Sequence, residues 1–165
     1  MEKLIGLPPV LPKSPVLLLL GSMPSSASLE QQKYYAYPRN HFWPLMACVM
    51  EEELPDEYSL RLDMLRRNRI ALWDVVRTCE RKGSLDQNIS NEEPNDIVSL
   101  LKGQPTIRAV VFNGAKAQAV YDRYFARLTH IEYIRLPSSS PVPGRVYRCL
   151  EDKISAWQQL SAYLK

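Results

Sequence analysis

Four short apolar runs constrain this chain more than any other feature: Val16–Leu20, Ile70–Trp73, Ala109–Phe112 and Ile131–Leu136. The first three are almost continuously hydrophobic. Strands read that way when both faces are covered, as in the middle of a parallel sheet. The fourth, IEYIRL, alternates apolar and polar residues and suits an edge strand. Longer stretches with helical spacing separate the runs, and the spacing predicts helices over Phe42–Glu53, Glu57–Arg67, Asn95–Lys102, Gly114–Leu128 and Arg145–Leu164. Asn95 stands where an N-cap for the third of these is expected. Strands alternating with helices give a three-layer α/β/α sandwich around a central four-stranded parallel sheet. Lys82–Pro94 reads as a polar loop and Met1–Lys13 as a loosely attached arm. No linker splits the chain, so residues 1–165 are expected to form one domain.

The bulk chemistry narrows the possible functions. A net charge of +3 permits a nucleic-acid partner without requiring one. The three cysteines, Cys48, Cys79 and Cys149, form no CxxC pair, and only His41 and His130 are available to join them. A metal or iron–sulfur site is not expected, and reduced thiols point to the cytoplasm. Val16–Leu20 is too short for a membrane span, and Pro15 and Glu2 argue against a signal peptide. Thirteen prolines, many grouped in Leu7–Leu11, Tyr37–Arg39 and Leu136–Gly144, mark loops of fixed shape.

Ligands of open α/β sheets bind at the carboxyl ends of the strands. The first run is followed by Gly21-Ser22-Met23-Pro24-Ser25-Ser26 and the second by Asp74 and then Arg77–Ser84. Asn113-Gly114 follows the third, and Pro137-Ser138-Ser139-Ser140-Pro141 the fourth. Small residues there leave backbone N–H groups free to grip phosphate. A Walker loop, GxGxxG and GxSxG are all absent, which removes nucleotide-triphosphate, dinucleotide and serine-hydrolase readings. Five of the ten residues from Tyr34 to Trp43 are aromatic, with Arg39, Asn40 and His41 among them. Rings beside a cation and an amide suit a flat, polar ligand such as a nucleobase. Phe42 and Trp43 also suit an aromatic core beneath the first loop.

These blocks resemble the uracil-DNA glycosylase superfamily, and within it the hypoxanthine-DNA glycosylase (DNA-deoxyinosine glycosylase) branch. The resemblance is carried by Gly21-Ser-Met-Pro, Tyr35-Ala-x-Pro-x-Asn-x-Phe-Trp43, Ala71-Leu-Trp-Asp-Val, Cys79-Glu-Arg-Lys-Gly-Ser-Leu-Asp86 and Leu136-Pro-Ser-Ser-Ser-Pro141, spanning about Val16 to Pro141. It implies strand order 2-1-3-4 and a monofunctional enzyme without a cofactor. Such an enzyme flips a base from double-stranded DNA and hydrolyses its N-glycosidic bond. The expected partner is duplex DNA holding a deaminated base, and the expected state is a monomer, associated with the nucleoid if the source is prokaryotic.

By the resemblance, Asn40 and Asp74 are the catalytic candidates. Asn40 positions water or bonds the base, and Asp74 acts as base or base-reader. Tyr35, Ser22, Met23 and Asn113 are expected at the base, with Tyr35 stacking on it. Ser25, Ser26, Arg39, Ser138, Ser139, Ser140 and Pro141 are expected at the DNA backbone, with His41 and Arg145 as further phosphate contacts. The chain departs from uracil-cleaving relatives at Met23, where they carry the Asp or Asn that holds the attacking water; a thioether cannot do this. It departs again at Leu136, where the strongest uracil enzymes carry a His. The departures favour hypoxanthine as substrate. They leave open a uracil or G/U mismatch glycosylase, a lesion-binding protein without catalysis, and a hydrolase of free nucleosides.

Overall fold

The structure, a computed structural model, describes residues 2–164; the outermost positions of the expected arm and domain, Met1 and Lys165, lie outside them. In chain order the elements are β1 (Lys3–Ile5), β2 (Leu17–Gly21), α1 (Ser26–Gln31), α2 (Phe42–Met50), α3 (Tyr58–Arg67), β3 (Ile70–Asp74), β4 (Val76–Glu80), β5 (Ser90–Pro94), α4 (Ile97–Gly103), β6 (Ala109–Asn113), α5 (Ala115–Tyr124), β7 (Glu132–Leu136) and α6 (Leu150–Gln158).

Four strands form a parallel sheet in the order β3-β2-β6-β7, which in terms of the four apolar runs is 2-1-3-4. Successive side chains of a strand point to opposite faces, and each face has its own core. Leu17, Leu19, Ile70, Leu72 and Val111 pack with α2, α3 and α6 through Phe42, Met46, Met64, Leu65 and Trp157. Leu18, Leu20, Ala71, Val110 and Phe112 pack with α4 and α5 through Ile97, Leu101, Val120 and Tyr121. The two-faced burial explains why β2 is a run of leucines with no polar break. β7 is the edge strand that its alternation predicted, partly exposed over Glu132–Arg135.

A second sheet, β1-β4-β5, is antiparallel and was not expected. The N-terminal arm is therefore not loose. Lys3–Ile5 pairs with β4, Val10 bridges Leu72, and the Tyr34 hydroxyl donates to the Pro8 carbonyl at 2.7 Å. Much of the polar stretch after the second run is strand: β4 starts two residues beyond β3, and Lys82–Pro94 contributes a 3-10 turn at Asp86–Asn88 and then β5. β5 is SNEEP, held by backbone pairing and a Thr78–Glu93 side-chain bond, so no apolar periodicity marks it.

Helix ends also differ from expectation. Asp96, not Asn95, caps α4, accepting from the Ser99 N–H; buried Asn95 instead donates to the Asp74 carbonyl at 2.8 Å. α2 stops at Met50 because Glu51 turns into a left-handed conformation. α5 stops at Tyr124, after which Phe125 is extended and packs on Tyr121. Arg145–Cys149 is not helical. α6 begins at Leu150, where Asp152 reaches back to the N–H groups of Arg148 and Cys149, and it ends in a 3-10 turn over Gln159–Leu164. Among the described residues no helix is long and apolar enough to cross a membrane.

Candidate active site

The carboxyl ends of β2, β3 and β6 and the loop after β7 surround a cavity of about 480 Å³, within the usual range of about 300–1,000 Å³ for a ligand site. Of the site residues expected from sequence, all line it except the phosphate-contact candidates Arg39, His41 and Arg145. The parallel sheet achieves this convergence: residues far apart in the chain end their strands side by side, Gly21 against Asp74 and Asn113 against Leu136.

Gly21 occupies the tightest point. A Cβ there would collide with the Asp74 carboxylate and come within 2.8 Å of the Tyr35 hydroxyl. Only glycine lets the backbone pass between those two groups. Met23, two residues on, is 7% exposed and belongs to the core cluster of Leu18 and Leu20. Its thioether supplies an apolar wall and no polar atom able to hold water.

The aromatic segment divides as its chemistry allows. Phe42 and Trp43 are core residues, Trp43 donating from Nε1 to the Tyr34 carbonyl. Tyr35 faces the cavity with left-handed backbone (φ 52°). Its ring stacks on Phe42 with centroids 3.9 Å apart, so a stacked base must use the opposite ring face. Burial, and then the charge of Asp74, hold its hydroxyl protonated well above the ordinary tyrosine range. Asn40 Oδ1 accepts from the Phe42 N–H at 2.9 Å, fixing the entry into α2. Its Nδ2 makes no hydrogen bond among the described residues, and Asn40 lines the cavity.

Asn113 lines the cavity, and its amide is engaged within the protein. Nδ2 donates to the Tyr35 hydroxyl at 3.0 Å and to Ser139 Oγ at 2.9 Å, while Oδ1 accepts from the Ser139 N–H at 2.8 Å. With both amide hydrogens committed, it clamps two loops together. Ser139 is bound in the same clamp: it is 1% exposed, its N–H and Oγ are engaged by Asn113, and its carbonyl accepts from the His41 N–H. Gly114, which caps α5 at φ 95°, lies against Ser138; an added Cβ would sit 3.1 Å from the serine's own.

Ser138 Oγ accepts from the Ser140 N–H. Ser140 is anchored by buried Lys153, whose ammonium donates to the Ser140 carbonyl at 2.9 Å and to His41 Nδ1 at 3.0 Å. Burial and then the Lys153 charge push His41 below its ordinary value, keeping the ring neutral with its proton on Nε2. Arg39 lies at a neighbouring cavity with His41 and Arg148, which shares Tyr37, Pro141 and Val142 with the first.

Asp74 is 4% exposed, and its Oδ2 has no hydrogen-bond partner. Burial first, then the negative charge of Asp86, push its carboxyl up to about 7, with Arg81 opposing. Its protonated form is therefore well populated at neutral pH, and it can donate.

The sequence reading missed the wall opposite the clamp. Ser84, Leu85 and Asp86 line the cavity. Ser22 Oγ donates to Asp86 Oδ1 at 2.5 Å, the Ser26 N–H donates to Ser84 Oγ, and Ser25 caps α1 beside them. Arg81, 5% exposed, ties the wall down through the Gly83 and Pro24 carbonyls. Its signals in the sequence were the stretch Arg77–Ser84 after the second run and the block Cys79–Asp86. Among the described residues no three His, Cys, Asp or Glu side chains are grouped to hold a metal ion.

The uracil DNA glycosylase superfamily model matches residues 8–161. The chain is similar to a hypoxanthine DNA glycosylase of Methanosarcina barkeri, 35% identical over 93% of this chain and 95% of that protein. It is likewise similar to a hypoxanthine DNA glycosylase of Methanosarcina acetivorans, 38% identical over 93% and 94%. A solution NMR structure of a candidate uracil DNA glycosylase from Methanosarcina acetivorans matches with a TM-score of 0.85 and 37% identity, covering 99% of each chain. With a parallel sheet in the expected order and the expected loops gathered round one cavity, the chain belongs to the uracil DNA glycosylase superfamily.

Proposed function

We propose that this protein is a monofunctional DNA glycosylase, a single catalytic domain acting as a monomer, that flips hypoxanthine from duplex DNA and hydrolyses its N-glycosidic bond. The observation that carries this reading is Asp74: a buried carboxyl on the cavity, pushed up to about 7 so that its protonated form is well populated at neutral pH, with one oxygen unpartnered. A departing purine takes on negative charge, and a protonated acid in a water-poor site stabilises that charge by donating to it. Hypoxanthine presents the acceptors O6 and N7. The free Nδ2 of Asn40 supplies a second donor, and the exposed face of Tyr35 supplies the stack. The two Methanosarcina relatives bearing the name hypoxanthine DNA glycosylase support the same substrate. Flipping costs a few kcal/mol and is cheaper at a poorly paired base such as hypoxanthine opposite thymine.

The experiment is base release from duplexes carrying one deoxyinosine or one deoxyuridine, followed by alkaline cleavage. Scission at inosine is expected. Turnover on uracil with none on inosine would favour a uracil or mismatch enzyme instead. Asn40→Ala separates catalysis from lesion binding: the rate is expected to fall about 100- to 1,000-fold, the scale of losing one oriented donor, while inosine-DNA binding persists.

A further inference from the structure

We propose that Asp86 is the residue that orients the attacking water and takes its proton, replacing from a different loop the side chain that position 23 lacks. The inference rests on the glycosylase reading above and deepens it.

Three observations lead to it. The side chain at position 23 is a buried thioether in the core, so the loop after β2 offers no acceptor there. Asp86 lines the same cavity from the opposite loop, and the hydroxyl that pins it belongs to Ser22, the neighbour of Met23. That bond engages Oδ1 and leaves Oδ2 without a partner among the described residues, available to a water. Its loop is also fixed: Ser26 to Ser84, Arg81 to the Gly83 and Pro24 carbonyls, and Asn88 to the Lys82 carbonyl. A base must be held to a fraction of an ångström to be effective, and this loop is held at four points.

The other polar groups on the cavity do not fit the task. Asn40 and Asn113 carry amides, which take no proton. Asp74 is the more buried carboxyl, and the charge of Asp86 helps keep it protonated. Two nearby carboxyl groups in unlike environments divide into an acid and a base. Here Asp74 is the acid and Asp86 the base. The groups facing Asp86 are Asp74 on β3, Tyr35 ahead of α2 and Arg81 beyond β4.

The step balances. The bond from C1′ of the sugar to N9 of hypoxanthine breaks, and its electron pair stays on the purine. Water oxygen bonds to C1′ as one of its protons passes to Asp86. Asp74 gives its proton to the departing purine. Free hypoxanthine and an abasic site result, and solvent returns Asp86 to carboxylate and Asp74 to acid.

The test is the single-turnover rate of base release from inosine duplex across pH, for the wild type, Asp86→Asn and Ser22→Ala. Asn at 86 keeps the acceptor for Ser22, so the loop stays tethered. A base must be ionised, so Asp86→Asn is expected to lose at least 100-fold in rate and to lose the acidic limb of the profile, with inosine-DNA affinity within about threefold. Ser22→Ala frees the tether but keeps the carboxylate, and is expected to lose about tenfold and retain the acidic limb. An Asp86→Asn enzyme within about fivefold of wild type, or one that keeps the acidic limb, overturns the assignment. A wild type that releases neither hypoxanthine nor uracil overturns the glycosylase reading itself, a distinct result.

Discussion

The two walls of the cavity are built on opposite principles. On one side Asn113 joins Tyr35 to Ser139, and every polar atom of its amide is used inside the protein. On the other side Ser22, Asp86, Ser26 and Ser84 join two loops nearer to solvent and leave carboxylate oxygen to spare. Asp74 sits between the walls, buried, with one oxygen unpaired. A saturated group costs little to bury and fixes geometry; an unsaturated one costs more and persists where it is used. By that criterion the Asn113 wall reads as scaffold, which is why the proposed chemistry is placed on Asn40, Asp74 and the Asp86 wall.

The largest effect that sharpens this contrast is on Asp74. In the unfolded chain its carboxyl ionises near 3.8, and in the folded protein near 7. Below about pH 4 it is neutral in both states and its burial carries no ionic cost. Between those values the unfolded chain releases the proton while the folded protein keeps it, so stability falls as the pH rises. Above about 7 the loss is constant, at most about 4 kcal/mol. Asp74→Asn removes the ionisation, so its stability advantage in urea melts is expected to grow from pH 4 to pH 8. An advantage that does not change with pH would mean that Asp74 is charged at neutrality and is not the acid.

The scaffold wall is tested by Asn113→Ala. It strands the Ser139 N–H in the interior and removes the donor to Tyr35, at a cost of about 2–3 kcal/mol. Base release is expected to slow about tenfold as the left-handed Tyr35 loses its tether, with both limbs of the pH profile in place. Asn113→Asp keeps the acceptor for Ser139 and should recover part of the stability. If Asn113→Ala were fully stable but unable to tell inosine from uracil, Asn113 would be a reader after all.

The same contrast explains what the sequence disclosed. Apolar runs report burial on both faces of a sheet, so β2, β3 and β6 were legible, and with them the strand ends where Asp74 and Asn113 sit. The β1-β4-β5 sheet was not, because SNEEP pairs through its backbone and Lys3–Ile5 is three residues long. Asp86 was hidden with it: its place on the cavity depends on how β4 and β5 bend the intervening loop back to Ser22, a pairing of residues 64 positions apart. Asn113 was legible as a site residue but not as a clamp. Whether an amide is free or saturated depends on neighbours such as Ser139, which no spacing along the chain reveals.

The smallest expected effect concerns the charges around the two walls. Arg39 and Arg148 lie at the second cavity, beside the first, and both are exposed. A cation that neutralises one phosphate changes affinity by releasing counterions, so it sets how binding falls with salt and leaves the chemical step alone. Arg39→Ala and Arg148→Ala are each expected to lower the slope of log Kd against log salt by about one, with single-turnover base release at saturation unchanged. Arg66 is the control. It lies at the carboxyl end of α3, just ahead of the start of β3 and so at the far end of the sheet, and it pairs with Asp63. Arg66→Ala should leave the slope as it is. Equal slopes for all three variants would move the DNA path away from the second cavity and leave the Asp86 wall and the Ser138–Pro141 loop as its only boundary.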